Sequence, residues 1–281
     1  MNTNKLKLMD CLLVWGIGFL LFGIVGSILS PYIGVWAFYL CQIGSVVAVL
    51  TVANITGMKA KKLLAPGGQS FREIIGAALV WVGCLLAVFP LFLLSHLLVP
   101  GFATTSFHVY DYTSSHALVA ILIVLAAICE CLLFDCFLYS RLKGIWKSLP
   151  WLPLVILGVA GGLYHPDLYI LLPMMVMFAG IAYVRSRTEG FVLPLILRLL
   201  TVLIAVAFMQ VSDAGEALLG SSMGLVQVIG FGLIFLGAAF PALICGARLL
   251  GHFKNRSMFE KFMVIAISVV LIASGSGISN F

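Results

Sequence analysis

Runs of almost uninterrupted apolar residues dominate this chain of 281 residues. They limit the possible folds more than any motif does. A helix needs roughly 20 mainly apolar residues to cross the hydrocarbon core of a bilayer. Runs of about that scale fall near 11–29, 33–56, 74–98, 117–140, 151–165, 168–184, 191–210, 222–246 and 262–280. They are continuous rather than alternating, which disfavours membrane strands. Only 9% of the residues are charged and 63% are hydrophobic, against roughly 25% charged in a soluble domain. The expected fold is therefore all-α, a polytopic transmembrane bundle of about nine helices. It forms a single integral membrane domain over 1–281, because no polar stretch is long enough for a second.

Charge gives the orientation. With a cytoplasmic N-terminus, the inner loops carry Lys5, Lys7, Lys59, Lys61, Lys62 and Arg72. They also carry Arg141, Lys143, Lys147, Arg185, Arg187, Arg248, Lys254, Arg256 and Lys261. The outer segments 30–32, 99–116, 166–167 and 211–221 have no Lys or Arg and hold Asp111, Asp167, Asp213 and Glu216. Arg198 alone breaks the one-sidedness that the positive-inside rule demands. The net charge of +6 is spread over several short loops, so nucleic acid is not expected as a partner; the lipid bilayer is. Lys5 and Lys7 before the first run resemble a signal peptide, but no small-x-small cleavage site follows, and the run reads as an uncleaved helix.

The seven cysteines, Cys11, Cys41, Cys84, Cys129, Cys131, Cys136 and Cys245, lie mostly inside apolar runs. They read as reduced, buried thiols. Gly158, Gly161 and Gly162 thin the fifth run, and Gly220 and Gly224 form a GxxxG; both suggest close helix packing. His96, His108, His116 and His252 lack zinc-type spacing, so neither a metal nor another cofactor is expected.

Four titratable groups stand within the membrane or at its edge: Glu130, Asp135, His165 and Arg198. A charge there costs at least ~3 kcal/mol on insertion scales, so such groups face a bundle interior or a wet cavity. Glu130, unpartnered, reads as a protonated strut, and His165 as a hydrogen-bonded cap. Pro150 and Pro166 bracket a short fifth run, which hints at a buried pocket near His165. Asp135 and Arg198 both fall within about 10 Å of the cytoplasmic end at 1.5 Å per residue. Arg198 is therefore expected to pair with Asp135 or Glu130 inside the membrane. A thiolate nucleophile at Cys131 is disfavoured, since α-helical spacing sets it on the face of Asp135.

The stretch from Cys129 to Leu142 carries a further signal. It resembles the first motif of the CPBP family of intramembrane endopeptidases, also called the CAAX-protease and bacteriocin-processing or Abi family. That motif is a Glu-Glu pair, two apolar residues, Phe-Arg-Gly and an apolar exit ending in Arg-Leu. Glu130 matches its first Glu, Phe134 its Phe, and Phe137 to Leu142 its exit. The second motif, Phe-x-x-x-His, corresponds to Gly161–His165, and the last, His-x-x-x-Asn, to Arg198–Val202. The likeness covers about 117–205. It implies Glu130 as a base activating water, with His165 helping to hold the oxyanion.

Six family positions are substituted: Cys131 stands for the second Glu, Asp135 for Arg, Cys136 for Gly, Gly161 for Phe, Arg198 for His and Val202 for Asn. The resemblance thus implies a catalytically degraded relative in a bacterial cell membrane. Such a protein would bind a membrane-protein or peptide partner, in a cell-envelope or bacteriocin-immunity setting, like the branch similar to lysostaphin-resistance protein A. The alternatives are a divergent active endopeptidase using Glu130 and His165, and a small-molecule or lipid transporter with Arg198 binding an anion.

Overall fold

The structure, a computed structural model, describes residues 3–34, 36–58, 63–67, 69–98, 116–165, 168–210, 225–251 and 258–279. Nine helices and no strand occur among them. Helix α1 runs Thr3–Phe19, widens to a π-helical Leu20–Val25 and continues as Gly26–Ile33. Helices α2 (Trp36–Ile55) and α3 (Phe71–Leu98) follow. Helix α4 comprises His116–Glu130, a second π-helical stretch Cys131–Leu138, and Tyr139–Ile145. The rest are α5 (Leu152–Tyr164), α6 (Leu168–Thr188), α7 (Val192–Gln210), α8 (Leu225–Leu249) and α9 (Met258–Ser279). Five of these rods are long and apolar enough to cross a membrane: Asn4–Ile33, Phe71–Phe92, Ala120–Ile145, Ile170–Thr188 and Leu225–Leu249. The chain is an all-α helical membrane bundle. Glycines 220 and 224, histidines 108 and 252, lysines 59, 61, 62 and 254, Arg256, and the outer acids 111, 167, 213 and 216 lie outside the described residues. For His96, His116 and Lys261 the backbone alone is described.

Helix α4 is the axis of the bundle. Its π-helical stretch touches α1, α2, α5, α6 and α7, and Cys131 and Leu133–Leu138 are all buried. Trp15 ties α1 to α5 by donating from Nε1 to the Ala160 carbonyl at 2.9 Å. Trp81 does the same between α3 and α7, donating to the Thr201 hydroxyl at 2.9 Å. Helices α8 and α9 stand to one side, with α9 packed on α8 and α8 on α3. Ile265, Val269 and Val270 of α9 face outward, which costs nothing where lipid is the solvent.

Small residues set the closest approaches. Gly158, Gly161 and Gly162 of α5 all face α6, and an added Cβ would strike Met175, Ala179, Phe178 or the Leu171 carbonyl. A Cβ on Gly246 of α8 would lie 2.7 Å from both the carbonyl of Gly76 and the nitrogen of Val80 on α3. Backbone cannot yield as a side-chain tip can. Gly246→Val is therefore expected to lower stability by about 1–3 kcal/mol through overpacking, measured by thermal unfolding in detergent. An unchanged midpoint would mean that α8 and α3 are not in tight contact.

Charged residues collect at one end. Arg141 pairs with Asp10 at 3.4 Å and Lys143 with Glu189 at 3.2 Å. Phe191 donates its N–H to the Ala65 carbonyl at 3.0 Å, joining the α2–α3 and α6–α7 connections there. The helices reach further into this end than the apolar runs predict. Lys5 and Lys7 lie on α1 itself, and α6 continues to Thr188 rather than stopping at 184. Arg185, expected in a loop, is only 5% exposed. Its aliphatic stem and a waiting acceptor let the helix carry a cation past the last apolar residue.

Candidate functional site

Two carboxylates and one guanidinium form the centre of the bundle. Arg198 of α7 donates from Nε to Oδ2 of Asp135 at 2.8 Å and from Nη2 to Oδ1 at 3.3 Å. Its third nitrogen, Nη1, donates to Oε2 of Glu130 at 3.1 Å. The fork geometry of Arg suits such a bidentate grip. Asp135 is 0% and Arg198 2% exposed. The Phe178 ring lies 3.8 Å below the guanidinium carbon, and the Phe134 ring 5.6 Å away. Arg198 thus bonds both of the acids between which sequence reasoning left the choice open.

The π-helical stretch makes this possible. Glu130 and Asp135 are five residues apart. In an α-helix, at about 100° per residue, they would point roughly 140° apart. A π turn bonds residue i to i+5, as the Tyr139 N–H does to the Phe134 carbonyl. The wider turn brings positions five apart onto one side. Cys131 stays close enough to Asp135 and Arg198 to feel both charges, as its expected place beside Asp135 implies, while its thiol donates to the Phe191 carbonyl at 3.8 Å.

The Asp135 carbonyl, next in line after Phe134, accepts from Nε of Arg185 at 3.1 Å. Buried main-chain acceptors are seldom left bare, and here a side chain from α6 fills the place. Asp135 is thus held twice, through its side chain by α7 and through its backbone by α6. Arg185 is a site residue that sequence reasoning missed. Its one visible signal was its position two residues inside Arg187, at the tail of an apolar run.

His165 ends α5 in extended conformation, with φ −84° and ψ 125°. Its Nε2 lies 3.9 Å from Oε1 of Glu130. Rings of Phe22, Tyr164 and Phe178 surround it at centroid distances of 6.3, 5.9 and 5.9 Å. Glu130 is 13% and His165 17% exposed, so this side of the cluster is more open than the Asp135 side. Gly161 lies one turn before His165, and the space a side chain would need there is filled by Phe178. Val202, one turn beyond Arg198, is half-buried. Sequence-predicted Glu130, Asp135, Arg198 and His165 therefore meet in one cluster; Cys131 lies at its edge, within reach of the Asp135 and Arg198 charges, with its thiol donated to the Phe191 carbonyl at 3.8 Å. No group of three or more metal-ligating side chains occurs among the described residues.

The formal charges of Arg185, Arg198, Glu130 and Asp135 cancel, so the cluster is neutral with a neutral His165. What it does best is hold: it links α4, α5, α6 and α7 through polar contacts that hydrocarbon cannot replace. No family model, curated protein or solved structure matches the chain.

Proposed function

We propose that the protein is a non-catalytic membrane scaffold, a degraded relative of the CPBP endopeptidases, whose bundle binds a membrane-protein or peptide partner. The observation supporting this is the grip of Arg198 on Glu130 at 3.1 Å. A general base must offer a lone pair to the proton it removes. Here Oε2 already accepts from a guanidinium that Asp135 fixes in place. The six substituted positions (Cys131, Asp135, Cys136, Gly161, Arg198 and Val202) point the same way. In this reading the basic end faces the cytoplasm of a bacterial cell, and the partner is a cell-envelope protein or a bacteriocin-type peptide.

One observation favours a second reading, a divergent but active endopeptidase. Oε1 of Glu130 faces His165 on the more open side of the cluster, where a water would have both an acceptor and a neighbouring imidazole.

Wild type and Glu130→Gln, purified from native membranes in mild detergent, separate the two. A scaffold keeps the same co-purifying proteins in both preparations, at amounts agreeing to about twofold, the level at which a binding difference stays well under 1 kcal/mol. A protein retained by the variant alone, and found cleaved in wild-type cells, would replace the first reading with the second.

A further inference from the structure

We infer that the basic ends of α3 and α8 form a binding site for a phosphate-bearing anion, supplied by the headgroup of an anionic membrane lipid. Arg72, in the first turn of α3, donates from Nη2 to the carbonyl of Arg248, in the last turn of α8, at 3.1 Å. The close approach of Gly76 to Gly246 brings these two helix ends together, so that the Arg72 guanidinium lies against the Arg248 backbone. Nε and Nη2 of Arg248 are buried without a hydrogen-bond partner. Buried donors left bare are uncommon enough to call for an explanation.

The local acid does not supply one. Oε2 of Glu73 accepts from both the N–H and the hydroxyl of Ser70, at 2.8 and 3.0 Å. The Glu73 N–H is returned to the Ser70 hydroxyl at 3.2 Å. This closes a capping box at the start of α3. Among the described residues no carboxylate pairs with either arginine, in contrast to Arg141, Lys143 and Arg198. Two arginines therefore meet at these helix ends with no carboxylate partner among the described residues.

The surroundings favour a lipid over free phosphate. Phe71, Ile74 and Ile75, beside Arg72 on α3, are exposed. They offer acyl chains an apolar path directly below the charges. A phosphate at this junction meets the exposed Arg72 fork, and the half-buried Arg248 beside it adds a second planar guanidinium of matching geometry. Basic pockets between helices at a membrane surface bind anionic headgroups on this principle. The site is separate from the Arg198 cluster and does not depend on the scaffold reading.

The test uses the full chain in nanodiscs, with native mass spectrometry after release. Phosphatidylglycerol in phosphatidylcholine is one arm; inorganic phosphate in phosphatidylcholine alone is the other. Wild type should retain a phosphatidylglycerol adduct, and Arg72→Gln with Arg248→Gln should reduce it on the order of tenfold. Lys143→Gln with Lys147→Gln removes the same charge from the same end and should leave the adduct within about twofold of wild type. A phosphate adduct lost in the arginine variant, without preference for phosphatidylglycerol, keeps the site and changes its source. Equal losses in both double variants, or none in the arginine variant, would overturn it. The single Arg248→Gln form, checked for monodisperse elution, guards against misfolding and should lose most of the adduct by itself.

Discussion

Arg198→Leu lowers stability by about 3–5 kcal/mol, the range for removing one partner of a buried ion pair. The variant leaves Asp135, at 0% exposure, with no cation on its side chain. It also removes the guanidinium stacked 3.8 Å from the Phe178 ring. Glu130 suffers less, because its more open side can take up water. The measurement is thermal unfolding of the purified protein in detergent, supported by the yield of monodisperse material. Adding Asp135→Leu should recover most of the loss, since replacing a whole buried pair by packed apolar groups is often near neutral. An Arg198→Leu midpoint equal to that of wild type would mean that the three bonds to Asp135 and Glu130 contribute nothing net.

Gly161→Phe should be nearly as damaging. The Phe178 ring of α6 occupies the space above Gly161. Two rings cannot share it. Overpacking typically costs about 1–3 kcal/mol and occasionally more. Displacing Phe178 also takes the ring from beneath Arg198, worth roughly 2 kcal/mol when desolvated. A loss of about 3 kcal/mol or more is expected in the same unfolding assay. The paired change Gly161→Phe with Phe178→Ala should return much of it, because the incoming ring then fills the vacated volume. If Gly161→Phe alone unfolds where wild type does, the contact between α5 and α6 is looser than described.

The nine helices among the described residues fall on the nine apolar runs, and five of them are long and apolar enough to cross a membrane. Their charged ends were not legible in these runs. Arg185 looks like any loop cation until Asp135 supplies a carbonyl to receive it. That carbonyl lies in the stretch where α4 widens, and nothing in Cys131–Leu138 announces a π turn; cysteine, leucine and phenylalanine pack equally well in an α-helix. For the same reason the pairing of Arg198 with an acid was readable from charge alone, but its hold on Glu130 and Asp135 together was not. Positions five apart read as opposite faces until the turn is known. The ring over Gly161 was hidden differently: Phe178 lies in another run, and no spacing rule connects the two.

The wide turn in α4 also acts on residues that take no part in the cluster. Any residue held over in a turn delays all that follow, so the final segment Tyr139–Ile145 leaves the bundle with a phase inherited from Cys131–Leu138. That phase carries Arg141 to Asp10 of α1 and Lys143 to Glu189. Removing one residue from the stretch would swing this exit by about 100°, breaking contacts at the water-facing rim without touching either partner. The spelling of the rim is therefore written into the reading frame of the core, one helix turn away from where its effects appear.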